Sequence, residues 1–330
     1  MLPNFLCIGA QKCGTTSLWH LLNAHPDIHM AIPRETRFFS EDIRFAEGLA
    51  AYELRHFAGW NGEAAVGEKC PEYLYLPQVP QRLYEGLGAD LRLLICLRSP
   101  AARAYSHYRH NIAQFRESRS FAEVVESESK SLETGERNPP PFGYLGRGLY
   151  AEQIERYLEI FPKNQCHFIT FEAIAQRQSA IMQSVYTFLG VAPFQIARPV
   201  SSGRPPTRDI QLQSGEHDDK AIVTVISSSR SQPARPLKQS LKTLAKTALG
   251  HSPQSGAGGD MIAVRNPSKE LRAFASRISA LGSLPPEITA EDELLINRRY
   301  FSDDIARLSK LVPFDVKHWL KRYRAPKAES

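Results

Sequence analysis

Residues 5–17 read FLCIGAQKCGTTS. The run FLCIG predicts a short buried strand. A turn bounded by Gly9 and Gly14 follows, and three hydroxyl residues open a helix predicted over 15–23, stopped before His25-Pro26. Strand, glycine turn, lysine and helix start together make an anion site. The first amides of a helix have no partner within it and carry partial positive charge. Gly9 and Gly14 let the backbone come close to the anion. Lys12 adds a full charge, and Cys13, Gly14, Thr15, Thr16 and Ser17 line the turn and the helix start. The nucleotide-triphosphatase pattern puts its lysine after the second glycine. Here Lys12 precedes Gly14, so the loop is a phosphate loop of another kind.

Outward from this loop, strand and helix patterns alternate. RLLICL at 92–97 is the strongest strand signal, 64–69 is a weaker one, and CHFITF at 166–171 is another. Helical periodicity falls at 101–111, 149–161 and 179–189, and again within 270–278 and 291–312. Such alternation predicts an α/β fold, a P-loop-type parallel sheet with helices on both faces. The expected organisation is a single domain over 1–330 with a long insertion. From about 211 to 265 the composition shifts to Ser, Pro, Gly and Gln, which reads as a low-complexity, irregular and basic segment.

Composition narrows the function classes. The chain has 330 residues, 42% hydrophobic and 23% charged, which excludes wholesale disorder and fibrous repeats. Its 41 Lys and Arg against 35 Asp and Glu give +6. Six basic residues and no acidic one lie between Lys220 and Gly259, so the remainder is neutral and no nucleic-acid partner is expected. Leu237, Leu241, Leu244 and Lys238, Lys242, Lys246 fall on two faces of one helical pattern. That leaves open a peripheral contact of 237–249 with an anionic membrane. No apolar run reaches the roughly 18–20 residues of a membrane span. The start of the chain lacks a signal-peptide pattern, and Cys7, Cys96 and Cys166 sit in strand runs as reduced core thiols. A cytoplasmic enzyme is the expectation. The ten histidines show no metal-ligand spacing, and no metal is expected.

The segment GAQKCGTTSL resembles the 5′-phosphosulfate loop of sulfotransferases that use 3′-phosphoadenosine 5′-phosphosulfate, PAPS, and is most similar to their glycan-modifying branch. LLICLRSPAARAYSHYRHN resembles that family's 3′-phosphate segment, which implies that Arg98 and Ser106 hold the phosphate distinguishing PAPS from ATP. PRETRFF at 33–39 resembles the K-E-x-x-F-F segment and implies Glu35 as catalytic base, with Arg34 where the family has lysine. GEKCPEYL at 67–74 resembles E-K-[ST]-P-x-Y and implies that Lys69 assists Lys12 at the transferring sulfonate; Cys70 replaces the usual hydroxyl residue. Glu72 reads as a structural acid and Tyr150 as a core or rim tyrosine. SSGRPPTR suggests Arg204 as a further nucleotide contact. The resemblance covers about 1–210 and 290–320.

It implies transfer of a sulfonate from PAPS to a hydroxyl or amine, leaving 3′,5′-adenosine bisphosphate. The implied acceptor is a saccharide or glycolipid, with a non-sugar small molecule as the alternative. A P-loop kinase is the competing reading from the same scaffold. It would want a metal-holding carboxylate near the end of the 92–97 strand, where this chain has Arg98.

Overall fold

A computed structural model describes residues 1–114, 116–134, 143–195, 210–217, 220–227, 262–265 and 285–321. The chain divides into two compact units: Met1–Ala104, Gly135–Gly203 and Thr289–Ser330 form one, Tyr105–Thr134 and Arg204–Ile288 the other.

The first unit is built on a parallel sheet of β1 (Phe5–Gly9), β2 (Ile28–Met30), β3 (Ala65–Lys69), β4 (Arg92–Leu97) and β5 (Cys166–Thr170) in the order β2-β3-β1-β4-β5. β1 and β3 are buried throughout, and β4 from its second residue. Strands covered on both faces read as near-continuous apolar runs, as FLCIG and RLLICL do. Burying each large apolar side chain stabilises by about 1.5–3 kcal/mol. Around the sheet stand α1 (Thr15–Leu22), α3 (Leu49–His56), α4 (Val79–Leu87), α7 (Tyr150–Leu158), α8 (Phe171–Gln176) and α9 (Gln178–Leu189); α2 (Asp42–Phe45) is a single turn. Near the C-terminus come α10 (Ala290–Tyr300) and α11 (Ser302–Leu311), split at Phe301 from one helical pattern.

α5 (Pro100–Ala113) begins in the first unit and continues into the second. The second unit also holds α6 (Phe121–Glu133), opened by a reciprocal Ser120–Glu123 capping box. Its three-stranded antiparallel sheet is β6 (Ile210–His217), β7 (Lys220–Ser227) and β8 (Ile262–Arg265). Strands therefore run through part of the segment expected to be irregular. AIVTVIS at 221–227 is rich in β-branched residues that favour a strand. Loop-forming neighbours in Ser, Gln and Pro obscure that signal in a composition average. Arg204, the periodicity at 270–278 and the basic stretch at 237–249 lie outside the described residues.

Candidate active site

Because the sheet is parallel, the C-terminal ends of its strands share one edge, the edge at which open α/β sheets bind ligands. Register pairs Cys7 with Lys69 and Gly9 with Ile95, and Leu97 with Thr170. The phosphate loop, Lys69 and Arg98 all leave the sheet there.

The loop is fixed by backbone bonds. Ala10 N–H donates to the Cys96 carbonyl at 2.7 Å and Cys13 N–H to the Ala10 carbonyl at 3.2 Å. A Cβ at Gly9 would lie 2.7 Å from Leu74 Cβ, so only glycine fits. Gly14 caps α1 at φ 84°, in the left-handed region, and Phe171 lies 3.0 Å from where its Cβ would stand. Lys12 is also left-handed, at φ 70°, which costs a non-glycine residue roughly 1–2 kcal/mol. No side chain caps α1, and its first turn holds no acid. Its leading amides are left for an anion. Thr15 is buried, Ser17 half-buried and Thr16 exposed.

Lys12 faces an excess of positive charge. Burial first, then Arg98 and Arg103, push its ammonium down to about 8, while Glu35 opposes them. Arg98 is half-buried, with its guanidinium 4.5 Å over the Phe171 ring. Among the described residues no carboxylate lies within ion-pair distance of it. Glu172, the acid that acts on it electrostatically, is itself pushed up by burial. Arg103 is fully buried on α5. Its Nη2 donates to the Tyr144 carbonyl, and Nε and Nη1 have no partner among the described residues. Sequence reading passes over Arg103, although an arginine in the opening turns of a helix opposes the helix dipole and so carries a signal. Three cations with so little compensation attract a multiply charged anion. Ser106 lies on α5 in the second unit, half-buried.

Cys13 is wholly buried, and burial pushes its thiol up to about 11. Its Sγ lies 3.5 Å from the Tyr150 hydroxyl, which donates to the Arg98 carbonyl at 3.0 Å. Tyr150 is thus a core residue that joins the two segments expected to bind phosphate.

Glu35 and Lys69 meet as an ion pair. Lys69 is 1% exposed and Glu35 39%. A buried ammonium needs a partner, and here that partner is the solvent-facing carboxylate of Glu35. The 33–39 loop is held from below by Glu68, the neighbour of Lys69 on β3. Glu68 accepts from Thr36 Oγ1 at 2.6 Å, Thr36 N–H at 3.3 Å, Tyr73 OH at 2.9 Å and Tyr52 OH. Burial raises its carboxyl, and the hydroxyls pull it back. Glu72 accepts from Ser40 Oγ at 2.6 Å and lies 4.0 Å from Arg37, a structural partner of the same loop. The structure therefore brings together Lys12, the 13–17 helix start, Arg98, Glu35 and Lys69. Cys70 is buried with its thiol pushed well up, chiefly by burial.

Known proteins are similar to this chain in sequence and fold. A family model described as "Sulfotransferase domain" matches residues 2–200. Heparan sulfate glucosamine 3-O-sulfotransferase 5 of Mus musculus is 28% identical over 192 residues, 58% of this chain and 54% of its own length. Heparan sulfate glucosamine 3-O-sulfotransferase 3B1 of the same species is 29% identical over 190 residues, 58% of this chain and 46% of its own. Membrane-associated sulfotransferase kil1 of Dictyostelium discoideum is 23% identical over 269 residues, covering 58% and 56%. The crystal structure of a sulfotransferase from Alicyclobacillus acidocaldarius superposes with a TM-score of 0.53 at 33% identity, covering 62% of this chain and 87% of that one. The chain spans about half the length of the curated relatives it matches.

The cytoplasmic location expected from the sequence is overturned, since these relatives include one that is membrane-associated by name. That expectation rested on the lack of an apolar span. A domain of this fold keeps the same core and site whether or not something holds it at a membrane. No helix among the described residues is long and apolar enough to cross one.

Proposed function

We propose that this chain, which belongs to the sulfotransferase domain family, moves a sulfonate from PAPS to a hydroxyl or amine of a saccharide. The observation that carries the reading is the Glu35–Lys69 pair, set beside a phosphate loop whose Lys12 feels both Glu35 and Arg98. The similarity to two heparan sulfate glucosamine 3-O-sulfotransferases supports a saccharide acceptor.

The residues fit a donor with phosphate at both ends. The amides opening α1, with Lys12, Thr16 and Ser17, take the 5′-phosphosulfate, and Arg98 takes the 3′-phosphate with a bidentate fork. The donor supplies an activated sulfur–oxygen bond. Glu35 takes the acceptor's proton as the acceptor oxygen or nitrogen bonds to sulfur. The sulfur–oxygen bond to the 5′-phosphate breaks, and its electron pair stays on the phosphate oxygen of 3′,5′-adenosine bisphosphate. Lys12 stabilises the charge growing on that oxygen, an interaction stronger in the transition state than before it. Once Glu35 is protonated its hold on Lys69 weakens, and the ammonium is released toward the same growing charge.

The purified chain incubated with sulfur-labelled PAPS and a desulfated glucosamine-containing oligosaccharide is expected to label the saccharide. Labelling of a phenolic or other non-sugar hydroxyl, with none on the saccharide, would overturn the acceptor class. No release of the bisphosphate with any acceptor would overturn the donor.

A further inference from the structure

The family model ends at residue 200, yet two side chains beyond it reach the elements that carry the donor site. Asn297 on α10 is fully buried. Its Nδ2 donates to Ser99 Oγ at 2.9 Å and to the Trp319 carbonyl at 3.1 Å, and its Oδ1 accepts from Ala101 N–H at 3.0 Å. Ser99 directly follows Arg98, and Ala101 N–H is one of the α5 amides that have no partner within the helix.

Asp304 on α11 is buried too. It accepts from the first two amides of α7, Tyr150 N–H on Oδ2 and Ala151 N–H on Oδ1, each at 2.9 Å. Leu149, at the cap position of α7, offers no side-chain bond. One carboxylate from a distant helix therefore does the work of a local cap. The residue it seats is Tyr150, whose hydroxyl holds the Arg98 carbonyl and meets Cys13 of the phosphate loop.

We propose that α10 and α11 brace the donor site, with Asp304 acting through Tyr150, and Asn297 through the Ser99–Ala101 turn, as positioning residues for Arg98. Arg98 is gripped at its own carbonyl and at the residues that follow it, so its guanidinium starts from a fixed point relative to the 9–17 loop. A fork of two hydrogen bonds onto a phosphate depends on such placement. The inference rests on the assignment of Arg98 to the 3′-phosphate made above.

The test is calorimetric titration with 3′,5′-adenosine bisphosphate of the full chain and of Tyr150→Phe, Asp304→Asn, their double variant and Arg98→Ala. Tyr150→Phe keeps the buried ring and loses only the hydroxyl. It is expected to weaken binding roughly five- to tenfold, the worth of one buried hydrogen bond. Asp304→Asn turns an amide donor toward one α7 amide and is expected to cost a similar factor. Because Asp304 acts through Tyr150, the double variant should bind no worse than about the weaker single one. In turnover assays the donor KM should rise while the acceptor KM stays put, a split that loss of stability alone does not produce. Native-like bisphosphate binding by Tyr150→Phe, with binding lost in Arg98→Ala, would overturn the brace and leave the donor assignment standing. Losses that multiply in the double variant would overturn the route through Tyr150. Unchanged binding by Arg98→Ala would overturn the donor assignment and the brace with it. If Asp304→Asn does not fold, Tyr150→Phe decides alone.

Discussion

Glu35→Gln is expected to lower kcat by about 10²–10⁴-fold, the usual share of a positioned general base. Nucleotide binding should stay near that of the native chain. The amide carbonyl that replaces the carboxylate can still accept from Lys69, and the 33–39 loop remains anchored on Glu68 through Thr36. Glutamine is the substitution to use because alanine would leave Lys69 buried without its partner. Single-turnover transfer from PAPS, measured beside a nucleotide titration, separates the two effects. Full turnover in Glu35→Gln would remove Glu35 from the chemistry and make its pairing with Lys69 a matter of folding only.

Lys12→Ala is expected to lower kcat by about 10²–10³-fold, the loss seen when one preorganised donor to a developing oxyanion is removed. A second signature comes from protonation. Burial and the Arg98 and Arg103 charges hold the free ammonium near 8. A bound anion favours the charged form and raises that value in the complex. Binding therefore takes up protons and weakens as the pH rises through about 8. Titrations in two buffers of different ionisation enthalpy should show almost no proton uptake at about pH 6 and close to one proton at about pH 9. Lys12→Ala should abolish that difference. A native chain whose affinity is flat over this range would place Lys12 away from the anion.

The parallel sheet is legible because its strands are buried on both faces. FLCIG and RLLICL need no partner to be read as core. β2, with only three residues, and α4, whose helix begins at Val79-Pro80, carry too little periodicity to be picked out. Lys12 and Arg98 are legible as charges placed at strand ends beside glycine or proline. The partners that position them are not. Asp304 reads as one more acid in the first turn of a helix, and nothing local says that its carboxylate reaches α7 across more than 150 residues. Glu68 is passed over for its neighbour Lys69, since alternation along a strand says which face a side chain takes and not which hydroxyls await it. The irregular reading of 211–265 averages strand-forming residues such as those of 221–227 with a Ser-, Gln- and Pro-rich composition. Location is not legible at all, because the core and the site answer only to the fold.

The most direct test of the central claim is a calorimetric comparison of 3′,5′-adenosine bisphosphate with adenosine 5′-monophosphate and with ATP plus magnesium on the native chain. The bisphosphate is expected to bind tightest, by roughly 10–100-fold over the monophosphate, as a charged fork from Arg98 onto a phosphate would give. Equal binding of the bisphosphate and the monophosphate, or a preference for magnesium ATP, would contradict that claim.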